Sequence, residues 1–115
     1  MEKTVLVAFN GEMMCFVHVL LNALDMQERG GEPLVVFEGA AVKLVPELER
    51  PSNPFAALYD KAKNAGLIAG VCRACSAKLG VLEEVKASGL PLLDDMSGHP
   101  SLGAFMEKGY RVLTF

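Results

Sequence analysis

The sharpest chemical feature of the 115-residue sequence is a pair of cysteines two residues apart, Cys72-Arg73-Ala74-Cys75. Cys72 follows directly on the apolar run 67–71, where a buried strand gives way to a helix. The unpaired N–H groups and positive dipole end of a helix at such a junction favour an anion. A thiol there is expected to ionise more readily, and Arg73 adds a positive charge next door. A thiolate attacks sulfur, carbonyl carbon or a metal ion. With Cys75, three chemistries stand open: a dithiol redox pair, half of a zinc site, or one working thiol with an incidental neighbour. Structural zinc wants four ligands, and no second CxxC is present. His99 with Asp94 or Asp95 would have to complete such a site, so no metal is assigned. The redox reading has a strand–CxxC–helix junction in its favour. Against it, the order of elements is not that of thioredoxin and no cis-proline candidate is evident. The plain alternative is that Cys72 is a small buried hydrophobe.

In parallel sheets, ligands gather beyond the carboxyl ends of the strands. Asn10, Gly11 and Glu12 follow the first strand-like run, and Glu38 and Gly39 the second. Cys72, Arg73 and Cys75 follow the third; Asp94, Asp95, Ser97 and His99 follow the fourth. Thiol, acid and imidazole therefore fall on one edge. An imidazole at His99 near Cys72 could relay a proton or stabilise a thiolate. Equally, Asp95, Ser97 or Ser101 could serve only to cap the helix that follows. Cys15, inside an apolar helix, reads as a packed core thiol, and His18 as an interface histidine. There is no Walker A loop, no GxGxxG after the first strand and no GxSxG. Nucleotide hydrolysis and serine-hydrolase chemistry thus lack a motif, and no cofactor is expected.

The elements that must position these residues alternate. Residues 4–9 form a continuous apolar strand, and 12–29 a helix stopped by Gly30-Gly31. Residues 33–37 form a second strand. A weaker helical segment, 40–48, contains Pro46, which should kink or end it. Asn53-Pro54 reads as an N-cap and first-turn proline for a helix over 55–64, with Gly66 beyond its end. Residues 67–71 form a third strand. Short helical pieces at 74–79 and 81–88 are split by Gly80. A fourth strand spans 90–93, a last helix 100–108, and a fifth strand 110–115. Solidly apolar strands separated by helices argue for βαβ units and a mostly parallel sheet covered on both faces.

The length suits a single domain over 1–115. Hydrophobic residues make up 51% of the chain, and mean hydropathy is +0.30, which excludes disorder. The helix over 12–29 is apolar almost all round, so it should be buried on more than one side. One side is the sheet; a partner subunit of a homo-oligomer is the natural cover for the other. Eleven basic residues against 14 acidic give a net charge of -3. Without a basic cluster, direct nucleic-acid binding is disfavoured. No apolar stretch reaches the ~20 residues of a membrane span. Three cysteines, an odd number, fit reduced thiols in a cytoplasmic protein rather than a disulfide framework.

The stretches GVCRACSAKLGV (70–81) and DMSGHPSLGAFMEKGYRVLTF (95–115) resemble the DsrE/DsrF-like family, which includes YchN-like proteins. Cys72, Gly80 and Val81 match its most specific part, a cysteine at the end of the third strand followed by a small-residue helix and Gly-Val. The resemblance covers essentially the whole chain. It implies a three-layer α/β/α sandwich with five parallel strands, and homo-oligomers that are commonly trimers or hexamers. It also implies sulfur relay between donor and acceptor proteins, with the cysteine matching Cys72 carrying sulfane sulfur as a persulfide. Cys75 departs from the pattern, since sulfur-relay members usually have a small residue there. A second thiol could attack a Cys72 persulfide, giving a disulfide and sulfide. The leading expectation is a persulfide carrier or sulfurtransferase-like protein using Cys72, assisted by Arg73 and His99. The alternatives are a non-catalytic oligomeric module binding a small ligand or partner, and a Cys72–Cys75 redox protein.

Overall fold

The computed structural model describes residues 2–115. Every expected strand and helix forms, with shifts at the ends. In chain order they are β1 (Lys3–Ala8), α1 (Met13–Glu28), β2 (Glu32–Phe37), a 3-10 turn (Gly39–Lys43) leading into α2 (Leu44–Leu48), α3 (Ala56–Asn64), β3 (Ile68–Cys72), α4 (Arg73–Lys78), α5 (Leu82–Ser88), β4 (Leu92–Leu93), α6 (Leu102–Glu107) and β5 (Arg111–Thr114). The five strands lie in the order β4-β3-β2-β1-β5, every pairing parallel.

The chain steps outward from β1 through β2 and β3 to β4, then returns past the sheet to lay β5 against the free side of β1. Right-handed crossovers in opposite directions put the connecting helices on opposite faces. One face carries the larger core. There Leu6, Ala8, Val35 and Phe37 of the strands meet Phe16, Val19 and Leu20 of α1, Val45 of α2, Tyr59 of α3 and Val85 of α5. On the other face Val5, Val7 and Val36 are covered by Leu102 and Phe105 of α6 with Tyr110. The result is an α/β/α sandwich with an all-parallel five-stranded sheet and one thin layer.

Several local expectations take a different form. Pro46 neither kinks nor ends a helix, because it lies in the first turn of α2, where a missing N–H costs nothing. Asn53 is not the N-cap of α3 and Pro54 is not in its first turn: the cap position falls at Phe55, with no side-chain cap bond, and Asn53 instead accepts the Phe55 N–H at 2.8 Å in the turn that leads into the helix. Cys15 is not a core thiol: it is exposed, as is His18. The stripe of α1 that meets the sheet is Phe16, Val17, Val19, Leu20 and Ala23, and among the described residues the apolar outer side, with Met14 and Leu21, stays exposed. No helix among the described residues is long and apolar enough to cross a membrane.

Candidate functional site at the carboxyl edge of the sheet

Cys72 is the last residue of β3 and the N-cap of α4. Its sulfur accepts the Cys75 N–H at 3.4 Å. Its carbonyl accepts the Ser76 hydroxyl at 2.7 Å, so both sides of the strand-to-helix turn are pinned. Upstream, Gly70 allows β4 to approach: a Cβ there would lie 2.6 Å from the Pro91 carbonyl oxygen.

The loop after β4 brings in the imidazole. Met96 and His99 exchange backbone hydrogen bonds, Met96 N–H to His99 O at 2.8 Å and His99 N–H to Met96 O at 2.9 Å. Between them Ser97 and Gly98 both take positive φ, 51° and 90°, the pattern of a tight type I′ turn. The turn docks on the start of α4, with Gly98 O accepting the Ala74 N–H at 2.8 Å. His99 Nδ1 comes to rest 3.1 Å from Cys72 Sγ and 3.8 Å from Cys75 Sγ. Glu38 stands at the same nitrogen, with Oε1 3.8 Å from Nδ1. Glu38 Oε2 is buried and has no hydrogen-bond partner among the described residues.

The site residues expected from sequence thus divide. Cys72, Cys75 and His99 come together. Asp95 and Ser97 shape the loop that holds His99: Asp95 Oδ1 accepts the Ser101 N–H at 3.0 Å, and Ser97 supplies one positive φ. Asp94 is exposed and contributes its backbone carbonyl to the Gly98 N–H. Ser101, not Asp95 or Ser97, is the N-cap of α6. Arg73 is exposed, and no ion pair holds it among the described residues. Asn10 closes on its own loop, accepting the Glu12 N–H at 2.7 Å. Gly11 lets that loop press on the 3-10 turn, where a Cβ would come 3.1 Å from that of Ala40. Glu38, which the sequence places only on the edge, joins the cluster. It leaves β2, and consecutive βαβ strands are usually neighbours, so its place beside Cys72 follows from the topology.

The electrostatics reverse one expectation. Cys72 is fully buried, and burial pushes its thiol up to about 12. The Cys75 N–H works against this, while the Cys75 side chain and Glu38 carboxylate reinforce it. The start of a six-residue helix does not offset loss of water around a sulfur anion. Burial also raises Glu38, opposed by His99. A neutral thiol therefore faces an imidazole nitrogen at hydrogen-bonding distance, beside a carboxyl group. The arrangement can form a thiolate on demand, by moving the Cys72 proton to His99 Nδ1 with Glu38 facing the imidazolium.

A model of the DsrE/DsrF-like family matches residues 19–115, a span that contains the whole Cys72–Cys75–His99–Glu38 cluster. An uncharacterized protein of Methanocaldococcus jannaschii is 34% identical over 101 residues, covering 88% of this chain and 80% of the relative. No solved structure matches significantly. With four of the five strands, every helix after α1 and the thiol-bearing edge inside the matched span, the chain belongs to the DsrE/DsrF-like family.

Proposed function

We propose that this protein is a sulfur-relay protein that holds sulfane sulfur as a persulfide on Cys72. The observation that carries the reading is the 3.1 Å approach of His99 Nδ1 to Cys72 Sγ; family membership supports it. His99 takes the Cys72 proton, and the thiolate attacks the terminal sulfur of a donor persulfide. The donor S–S bond breaks, its thiolate leaves with the proton returned by His99, and Cys72 retains the sulfur. Delivery to an acceptor thiol is the same exchange in reverse. Cys72 is buried while Cys75 and His99 are half-buried, so donors meet the cluster from the Cys75–His99 side. The working unit is a homo-oligomer in a compartment that keeps thiols reduced, and the bare apolar side of α1 supports the first of these statements.

A second reading, dithiol redox chemistry, draws on Cys75 lying against the same imidazole at 3.8 Å. One experiment separates them. Reduced protein is exposed to a small persulfide donor and its intact mass measured, with Cys72→Ser and Cys75→Ala in parallel. Relay predicts sulfur-atom increments that vanish in Cys72→Ser and persist, or last longer, in Cys75→Ala. Loss of two hydrogens that requires both cysteines would favour the redox reading. No change in any form would remove both and leave a binding module with a silent thiol.

A further inference from the structure

The cluster has a second use that relay does not require. We propose that Cys72 Sγ, Cys75 Sγ and His99 Nδ1 bind a thiophilic divalent cation, Zn²⁺ above all, with a fourth position left to water. These three donor atoms lie within 4.8 Å of one another. Zinc–sulfur bonds of about 2.3 Å and zinc–nitrogen bonds of about 2.0–2.1 Å place tetrahedral sulfur and nitrogen ligands about 3.5 Å apart. The sulfur–nitrogen separations here are 3.1 and 3.8 Å, so small side-chain shifts bring all three onto one ion. Two thiolates and an imidazole are a donor set that suits zinc and excludes magnesium and calcium, which want oxygen.

Two further observations point the same way. Glu38 presents a carboxylate beside the imidazole, with a buried oxygen that has no hydrogen-bond partner among the described residues. A water on the ion would donate to that oxygen, giving Glu38 the accepting role that outer carboxylates commonly have around zinc. The Cys75 N–H already points at Cys72 Sγ, which favours the charged sulfur that a metal requires. Binding releases the two thiol protons to solvent and changes no oxidation state. The ion enters from the half-buried Cys75–His99 side. Cation and persulfide then compete for the same sulfurs, so zinc would hold the relay off.

The test uses the whole protein, reduced and stripped of metal with a chelator, and Co²⁺ as the probe. The expected result is one equivalent bound, with thiolate-to-cobalt charge-transfer absorption and intense tetrahedral d–d bands that one equivalent of Zn²⁺ abolishes. Cys75→Ser and His99→Ala should each weaken binding at least a hundredfold, Glu38→Gln should weaken it about tenfold, and Cys15→Ser should leave it unchanged. Circular dichroism establishes that each variant is folded. In the wild-type protein, Zn²⁺ should shield Cys72 and Cys75 from alkylation while Cys15 still reacts. Absence of charge-transfer absorption, or binding that survives Cys75→Ser unchanged, would overturn the proposal. Relay is judged separately, by sulfur loading in the presence of the chelator; failure of either leaves the other standing.

Discussion

Cys72 has neighbours that pull its proton in opposite directions. The Cys75 N–H favours the thiolate, while burial and the Glu38 carboxylate hold the thiol neutral. His99 decides between them by offering a base 3.1 Å away. Replacing it by Gln keeps a polar side chain and removes the base. His99→Gln is expected to slow sulfur uptake by Cys72 about 10²-fold at neutral pH, the low end of general-base effects. The deficit should close as alkaline pH forms the thiolate directly; a deficit constant with pH would mean His99 only packs. Glu38 carries a stability prediction with a definite sign. Its folded carboxyl is raised from 4.5, chiefly by burial, so the folded state holds its proton more tightly than the unfolded chain. That favourable contribution is complete below 4.5 and is lost as pH rises through the folded value. Glu38→Gln should therefore raise the melting temperature at pH 7, with the gain shrinking to nothing as pH falls below 4.5. Thermal unfolding across that range measures it, and an equal gain at every pH would show that ionisation is not the cause.

At the scale of elements, two turns place the chemistry: the β3–α4 junction fixes Cys72, and the Ser97-Gly98 turn delivers His99. Gly98 serves twice, with φ at 90° and a hypothetical Cβ only 3.2 Å from that of Ala74. Gly98→Ala is expected to cost about 1–3 kcal/mol of stability, the usual range for a strained backbone position. It should also impair sulfur loading while Cys15 alkylates as before, since the turn must lift off α4 and take His99 with it. Unaltered loading would show that the turn is not what positions His99. These elements differ in how plainly the sequence announces them. The first three strands are legible as largely apolar runs, while β5, which carries Arg111 and Thr114, is legible from the Gly109 that precedes it and from its place after a helix. The CxxC and His99 are legible as chemistry at one edge. Glu38 is legible only as an edge residue, because strand ends say which residues reach the edge, whereas strand order says which of them touch. The thiol's raised proton affinity was illegible for a related reason. A helix start shows in sequence, but the loop that buries the sulfur comes from residues 26 and 27 positions further along.

For the whole molecule, the uneven layering is the feature with the widest consequence. Five helices and the 3-10 turn cover one face, and the short α6 covers the other. The outer side of α1 remains bare, with Met14 59% and Leu21 47% exposed and Cys15 and His18 exposed beside them. Hydrophobic periodicity could not say which side of this helix meets the sheet, because apolar residues run nearly all the way round it. For that reason Cys15 reads as a core thiol in the sequence although it lies on the outer side. The same property makes the bare side the natural contact between copies, since a stable interface needs roughly 800 Å² per partner with an apolar centre. The protein is expected to sediment well above its 12.3 kDa chain mass. Burying a leucine side chain is worth about 1.5–3 kcal/mol, so Leu21→Lys should weaken association at least about tenfold per contact and shift the population toward monomer. Because Leu21 lies outside the sheet-facing stripe, the circular dichroism of the variant should match that of wild type. Sedimentation velocity over a concentration series reads both. A wild-type protein that sediments as a monomer at all concentrations would leave the α1 face for some other partner, while an oligomer untouched by Leu21→Lys would move the interface elsewhere, toward the exposed Phe9 and Phe115 at the β1 and β5 ends.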